Sequence, residues 1–165
     1  MAVTAAACGP ASSPAADEVT RDTHATVAYV YDGDTLRTTD DRRTRIVQID
    51  APELETDCYG LAARRALLRL VPPGTPVVLQ HDPSLDDVDR YGRLLRYVVS
   101  SGRDVGLELV AEGAAEPYFF HGDRGRHAGA LLRAAKRARA GRLGLWGACP
   151  AARLQPELGS VTGPA

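Results

Sequence analysis

Two tight-turn signals, Asp32-Gly33 and Asp40-Asp41, cut the early part of the chain into three short runs that favour strands. Residues 26–31 (TVAYVY) are β-branched and aromatic, the composition of a pleated, half-buried surface. A second run covers 34–39. A third, 43–49 (RTRIVQI), leads into Asp50-Ala51-Pro52, where proline stops the strand. Connections this short leave an antiparallel meander as the expected arrangement. Over 59–70, Leu61, Ala62, Arg65, Ala66 and Leu70 recur at helical spacing, and Pro72-Pro73-Gly74 ends the run. Residues 75–82 (TPVVLQHD) and 93–100 (RLLRYVVS) supply a fourth and a fifth strand, the latter followed by a Ser101-Gly102 turn. Asp104 suits the start of a helix through Glu112, and Gly113 suits its end. A last helix is expected over 126–140, stopped by Gly141, with Trp146 packed beneath it. Five strands, a helix between the third and fourth, and two helices after the fifth predict an α+β, mostly β fold. Its expected form is a five-stranded OB-fold barrel with three surrounding helices.

The 165 residues contain no apolar run long enough to span a membrane as a helix. Residues 1–23 are expected as a disordered leader, 24–150 as the folded domain and 151–165 as a disordered tail. A net charge of -1 does not mark the whole molecule as a polyanion binder. The charge is uneven, however. Arg124, Arg126, Arg133, Lys136, Arg137, Arg139 and Arg142 face only Asp123 between 121 and 142, while 82–89 holds four aspartates and no cation. A basic last helix can steer nucleic acid, although a solvated face is the commoner use.

Cys58 and Cys149 stand near opposite ends of the folded region. If the chain is exported, a disulfide between them closes a long loop; two free thiols are the alternative. Cys8 follows small residues and precedes the flexible GPASSPAADE, as after a bacterial lipoprotein cleavage site. Residues 1–7 lack a basic n-region and a full h-region. Either the start lies further upstream and Cys8 carries a lipid anchor, or Cys8 is incidental in a leader.

Three charged segments, DGDT (32–35), RIVQIDAPE (45–53) and DRYGR (89–93), each lie at a strand end or turn. In the meander, Asp34 begins the second strand and Asp50 ends the third, so antiparallel pairing brings the two carboxylates together. Paired carboxylates repel unless a cation lies between them, and Ca²⁺ takes carboxylate, carbonyl and water oxygens. Two arginines at the same rim, Arg45 and Arg93, would neutralise a phosphodiester as charge builds on it, and Glu53 could activate water. Taken singly, each segment also reads as an ordinary turn or strand exit. Arg45 and Glu53 could form a surface ion pair worth under about 1 kcal/mol.

In this order and spacing the three segments, with "YG…A" opening the first helix and the late "GLW", resemble the thermonuclease (staphylococcal nuclease-like) family over 24–147. The resemblance implies Ca²⁺-dependent endonucleolytic cleavage of DNA and RNA, single-stranded or loosened duplex. It also implies direct attack by water, leaving 3′-phosphate ends. It implies Asp34 and Asp50 as carboxylate ligands of Ca²⁺, with the backbone carbonyl of Ala51. It also implies Glu53 as base or orienter of water, and Arg45 and Arg93 as the clamp on the scissile phosphate. Arg90, Tyr91 and Tyr118 are implied as contacts to a terminal phosphate or a base. Ala51 stands where the commonest family example has threonine, and Phe120 where a second tyrosine is expected, which removes one phosphate hydrogen bond. The expected protein is a monomer without an obligate protein partner, secreted or extracellular. The competing expectations are a non-catalytic OB-fold module that holds nucleic acid or protein, and a surface domain in which the acidic pair binds Ca²⁺ only for stability.

Overall fold

A computed structural model describes residues 22–164. Residues 1–21 of the expected leader, with Cys8 and the question of whether it carries a lipid anchor, lie outside the described residues. Among the described residues eight strands, β1 (Thr23–Val30), β2 (Thr35–Thr38), β3 (Arg43–Ile46), β4 (Ile49–Asp50), β5 (Pro76–Gln80), β6 (Leu94–Ser100), β7 (Arg103–Asp104) and β8 (Glu116–Pro117), are joined by four α-helices. These are α1 (Gly60–Leu70), α2 (Val105–Glu112), α3 (Ala128–Ala140) and the single-turn α4 (Leu145–Ala148). Among the described residues no helix is long and apolar enough to cross a membrane.

β1, β2 and β3 form the expected antiparallel meander. β1 also pairs with β5, and β5 with β6. A parallel pairing of β3 with β6, Arg45 opposite Leu95, then closes the circuit into a five-stranded barrel. That closure is the step with functional weight, because it brings Arg45 beside the turn that carries Arg93. β1 pairs with β5 along Thr23–Thr26 and with β2 along Val27–Val30, and its register shifts between Val27 and Tyr29, a bulge that bends the strand. The bulge also replaces strict alternation: Val27 and Val30 both face the core, while Tyr29 stays exposed.

The barrel interior is filled by Val27, Val30, Leu36, Ile46, Leu79 and Val98, and it continues into Leu67 of α1 and Leu109 and Val110 of α2. Asp104 caps α2, its side chain accepting from the Leu107 amide at 2.7 Å, and Gly113 ends it with φ 71°. α3 buries Leu131, Ala134, Ala135 and Ala138 and turns its arginines to solvent. Cys58 and Cys149 are joined in a disulfide, Cα atoms 5.9 Å apart. Half-buried Trp146 packs with this bridge, Leu145 and Ala152, while Leu131, Ala134 and Ala135 of α3 belong to the main core.

Two expectations change. The third strand is not continuous over 43–49. It breaks after Ile46 because Gln48 takes φ 65°, and its buried side chain pulls the chain aside by donating to Asp123 O at 2.9 Å and accepting from the Gly125 amide at 3.0 Å. Residues 151–164 are not a loose tail either. The segment doubles back, with Arg153 bridged to Val161 and Asp57 to Pro164. Its Pro156 carbonyl accepts from the Phe119 amide at 2.7 Å, and the Gly163 carbonyl from the Cys58 amide at 2.9 Å. Ala152 and Thr162 are buried. Low apolar content hid this docking, since backbone groups rather than side chains hold most of it.

Candidate active site

The DGDT turn is built by its own first residue. Asp32 Oδ1 accepts from the amides of Asp34 at 3.0 Å and Thr35 at 2.7 Å, fixing the chain as it leaves β1. Gly33 is required by contact, because a Cβ there would lie 2.5 Å from the Ala51 side chain and 2.8 Å from that of Ala63. The turn therefore seats against both the exit of β4 and the flank of α1. This places the Asp34 carboxylate where Oδ2 accepts from the Ala51 amide at 3.0 Å and Oδ1 from the Thr35 hydroxyl at 2.9 Å. Two segments far apart in sequence are thus tied at one carboxylate.

Arg45, at the end of β3, reaches into the same corner. Its Nη1 donates to Ile49 O at 3.0 Å; its Nη2 is bonded to Asp50 Oδ1 and lies 3.4 Å from Asp34 Oδ2. The possible Arg45–Glu53 pair is not the one formed: the guanidinium sits between the two aspartates. Burial works against the Arg45 charge, and Asp34, Asp50 and Asp32 outweigh it, so its pKa is raised.

Arg93 enters from the turn before β6. Asp89 fixes it, accepting from Arg93 Nε at 2.6 Å and from the Arg93 and Tyr91 amides at 3.0 and 2.9 Å. Arg93 Nη1 lies 3.4 Å from the Thr35 hydroxyl, which links it to Asp34. Arg93 also sits over the Tyr91 ring at 5.3 Å, with Arg90 on the same ring at 4.7 Å.

These groups line one cavity of about 560 Å³, which contains Asp34, Arg45, Asp50, Ala51, Glu53 and Arg93. Arg90, Tyr91 and Tyr118 stand on its wall as well, with Tyr118 5.7 Å from the Arg45 guanidinium. Every residue singled out at 34, 45, 50, 51, 53, 90, 91, 93 and 118 therefore reaches the same space. Glu53 is exposed at the mouth. Phe120 is exposed there too and stacks on His121. Two other histidines serve structural contacts, His127 bonding Asp104 at 2.6 Å and His81 pairing with Asp87.

Two residues of this corner were not assigned roles from sequence. Asp32 shares the cavity, and burial, then the neighbouring Asp34 charge, raise its pKa to about 6. Asp89 is the support of Arg93. Both lie inside the quoted motifs, at turn positions where aspartate is common for backbone reasons alone, which is why they carried no separate signal. Asp50 is likewise raised, by burial first; Arg45 and the Ser160 amide lower it, and Asp34 adds to the rise. Among the described residues no group of three acid, histidine or cysteine side chains gathers as a ready metal cluster. The donors present are two carboxylates bracketing a positive charge, with the Ala51 backbone beside them. Such hard oxygens, completed by water, fit a hard divalent cation.

Residues 43–148 match the family described as staphylococcal nuclease homologue, and the chain belongs to it. The matched segment begins in β3, so the DGDT turn lies just ahead of it. An uncharacterized endonuclease of Escherichia coli O157:H7 is 39% identical over 101 residues, 59% of this chain and 62% of that protein. The probable staphylococcal-like nuclease CAN1 of Oryza sativa subsp. japonica is 34% identical over 106 residues, 64% of this chain and 29% of that protein. The chain thus spans about three fifths of the bacterial relative and under a third of the plant one.

Proposed function

We propose that this domain is a metal-dependent endonuclease that hydrolyses phosphodiester bonds of DNA and RNA, with Ca²⁺ as its metal. The observation that carries the reading is the gathering of Asp34, Asp50, Arg45, Glu53 and Arg93 in one cavity. Asp34, Asp50 and the Ala51 carbonyl would hold the ion. When bound, it supplies positive charge to a phosphoryl oxygen. Arg45 and Arg93 line the same cavity and bind the remaining phosphate oxygens, which become more negative in the transition state. Glu53 takes a proton from water as its oxygen attacks phosphorus. The P–O5′ bond breaks, the leaving oxygen takes a proton at the Arg93 side, and the products are a 3′-phosphate and a 5′-hydroxyl. Tyr91, Tyr118 and Arg90 bind the flanking base or a terminal phosphate, and their stacking tolerates any sequence.

Incubation of the purified chain with denatured DNA tests this. Ca²⁺-dependent fragments bearing 3′-phosphates, lost with chelator and in Arg93→Ala, are expected; intact DNA retained on the protein would favour a binding module instead. The site acts within one protomer, and the disulfide suits an oxidising compartment, so we place the protein outside the cytoplasm as a monomer. Signal for the protein in the reducing cytosolic fraction alone would refute that placement.

A further inference from the structure

The segment 151–164 meets the cavity at Leu158 and binds one of its carboxylates, Asp50. Ser160 donates its amide to Asp50 Oδ2 at 2.8 Å. The opposite oxygen, Oδ1, faces Arg45 and the cavity. One oxygen is therefore held by the segment and the other is aimed inward. The approach is close: a Cβ on Gly159 would meet Asp50 Oδ2 at 2.5 Å and Tyr118 Cδ2 at 3.5 Å, and the residue takes φ 83°. Glycine satisfies both the left-handed backbone and the missing space. Leu158, just before it, is 69% exposed and forms part of the cavity wall.

The segment is anchored at both ends and in the middle. At its root, Cys149 is bridged to Cys58. Near its end, the Gly163 carbonyl accepts from the Cys58 amide, and Thr162 is buried. Between them the Pro156 carbonyl binds the Phe119 amide, and Glu157 pairs with Arg124 at 3.4 Å. A merely trailing chain would not be attached both before Ser160, at Pro156 and Glu157, and after it, at Gly163.

We propose that residues 151–164 form a strap that completes the metal-binding corner, with Ser160 and Gly159 as positioning residues for Asp50. The inference rests on the metal-dependent reading above. A partner that orients a metal-ligating carboxylate changes metal affinity by about 10–100-fold when it is lost. The strap acts this way without touching the reacting atoms: it prevents Asp50 from rotating and keeps Oδ1 turned inward.

The test compares the full chain with three variants. One chain ends at Pro150 and keeps the disulfide. Ser160→Pro removes the amide hydrogen. Gly159→Val sets a side chain against Asp50. Calcium affinity is read by calorimetry on protein and CaCl₂ alone, with thermal melts in chelator to show that each variant is folded. All three are expected to bind calcium at least tenfold more weakly, and cleavage of denatured DNA should recover at high calcium. Calcium affinity equal to the full chain in folded Ser160→Pro and Gly159→Val overturns the strap, even if melting temperatures fall, because only a structural role would remain. If the full chain binds calcium in this strap-dependent way and leaves DNA intact, the nuclease reading fails and the strap stands. If it cuts DNA and the variants keep its calcium affinity, the strap fails and the nuclease reading stands.

Discussion

Reduction of the Cys58–Cys149 bridge should loosen the molecule where the site is least supported by secondary structure. The bridge joins residues 91 apart in sequence. In the chain-entropy treatment a loop of that length restricts the unfolded ensemble by about 4–5 kcal/mol at 25 °C. In a domain of this size each kcal/mol moves the melting temperature by about 3–4 °C, so reduction should lower it by about 12–20 °C. The loss is also local. Cys58 follows the turn in which the Asp57 amide donates to Glu53 O at 3.1 Å and the Glu53 amide to Asp57 Oδ2 at 3.2 Å. Freed from Cys149, that turn holds Glu53 less firmly, so turnover should fall at temperatures where the reduced protein remains folded. The assay is a circular-dichroism melt with and without dithiothreitol, repeated on Cys58→Ser/Cys149→Ser, with thiol titration to verify reduction. A shift below about 3 °C in fully reduced protein would refute the reasoning, since the unfolded chain would then gain little freedom from losing the bridge.

Glu53→Gln should lower kcat by about 10²–10⁴-fold while leaving the melt unchanged, because the side chain is exposed and is asked only to accept a proton; single-turnover cleavage of an oligonucleotide reads this directly. Asp89→Ala frees Arg93 from its only carboxylate partner among the described residues, and about a hundredfold loss of kcat/KM is expected from misplacement of that guanidinium. Activity near the parent level would show that Arg93 is positioned by something else. Glu116 is fully buried on β8. Burial pushes its pKa up to about 8, which the Val161 backbone amide lowers only in part and Asp50 reinforces. A raised carboxyl pKa means that the folded state holds a proton the unfolded chain has released, so stability is full below the ordinary glutamate pKa of 4.5 and declines as pH rises through about 8. Glu116→Gln should flatten that decline when melts are compared from pH 5 to 9 in chelator; parallel curves for the two proteins would refute it.

Much of the barrel was legible because its signals are local. Turn residues at Asp32-Gly33 and at 40–41, apolar runs between them, and the proline after Ala51 each act on their own few residues, and together they leave few topologies for five short strands. The chemistry was legible for a related reason: Asp34, Arg45, Asp50, Glu53 and Arg93 all lie at strand ends or turns, and strand ends in a barrel meet at its rims. The break at Gln48 was not legible. Nothing adjacent in sequence demands a left-handed residue there; the demand comes from Asp123 and Gly125, which bind its side chain only after the chain has folded. The docked segment at 151–164 was hidden likewise, since its attachments are mainly backbone hydrogen bonds to residues dozens of positions away.

The amino-acid order alone therefore determines which charged side chains this protein can bring to one rim of the barrel, and roughly at which end of each strand they stand. Tertiary structure decides what those side chains do to one another. Closure of β3 on β6 sets Arg45 between two aspartates instead of beside Glu53, the DGDT turn lands on Ala51, and the returning C-terminus takes one oxygen of Asp50. The reason is one of range. Turn and strand preferences act over a few residues of chain, whereas hydrogen bonds and ion pairs act over about 3–4 Å of space, and only the closed barrel brings such distant residues that near.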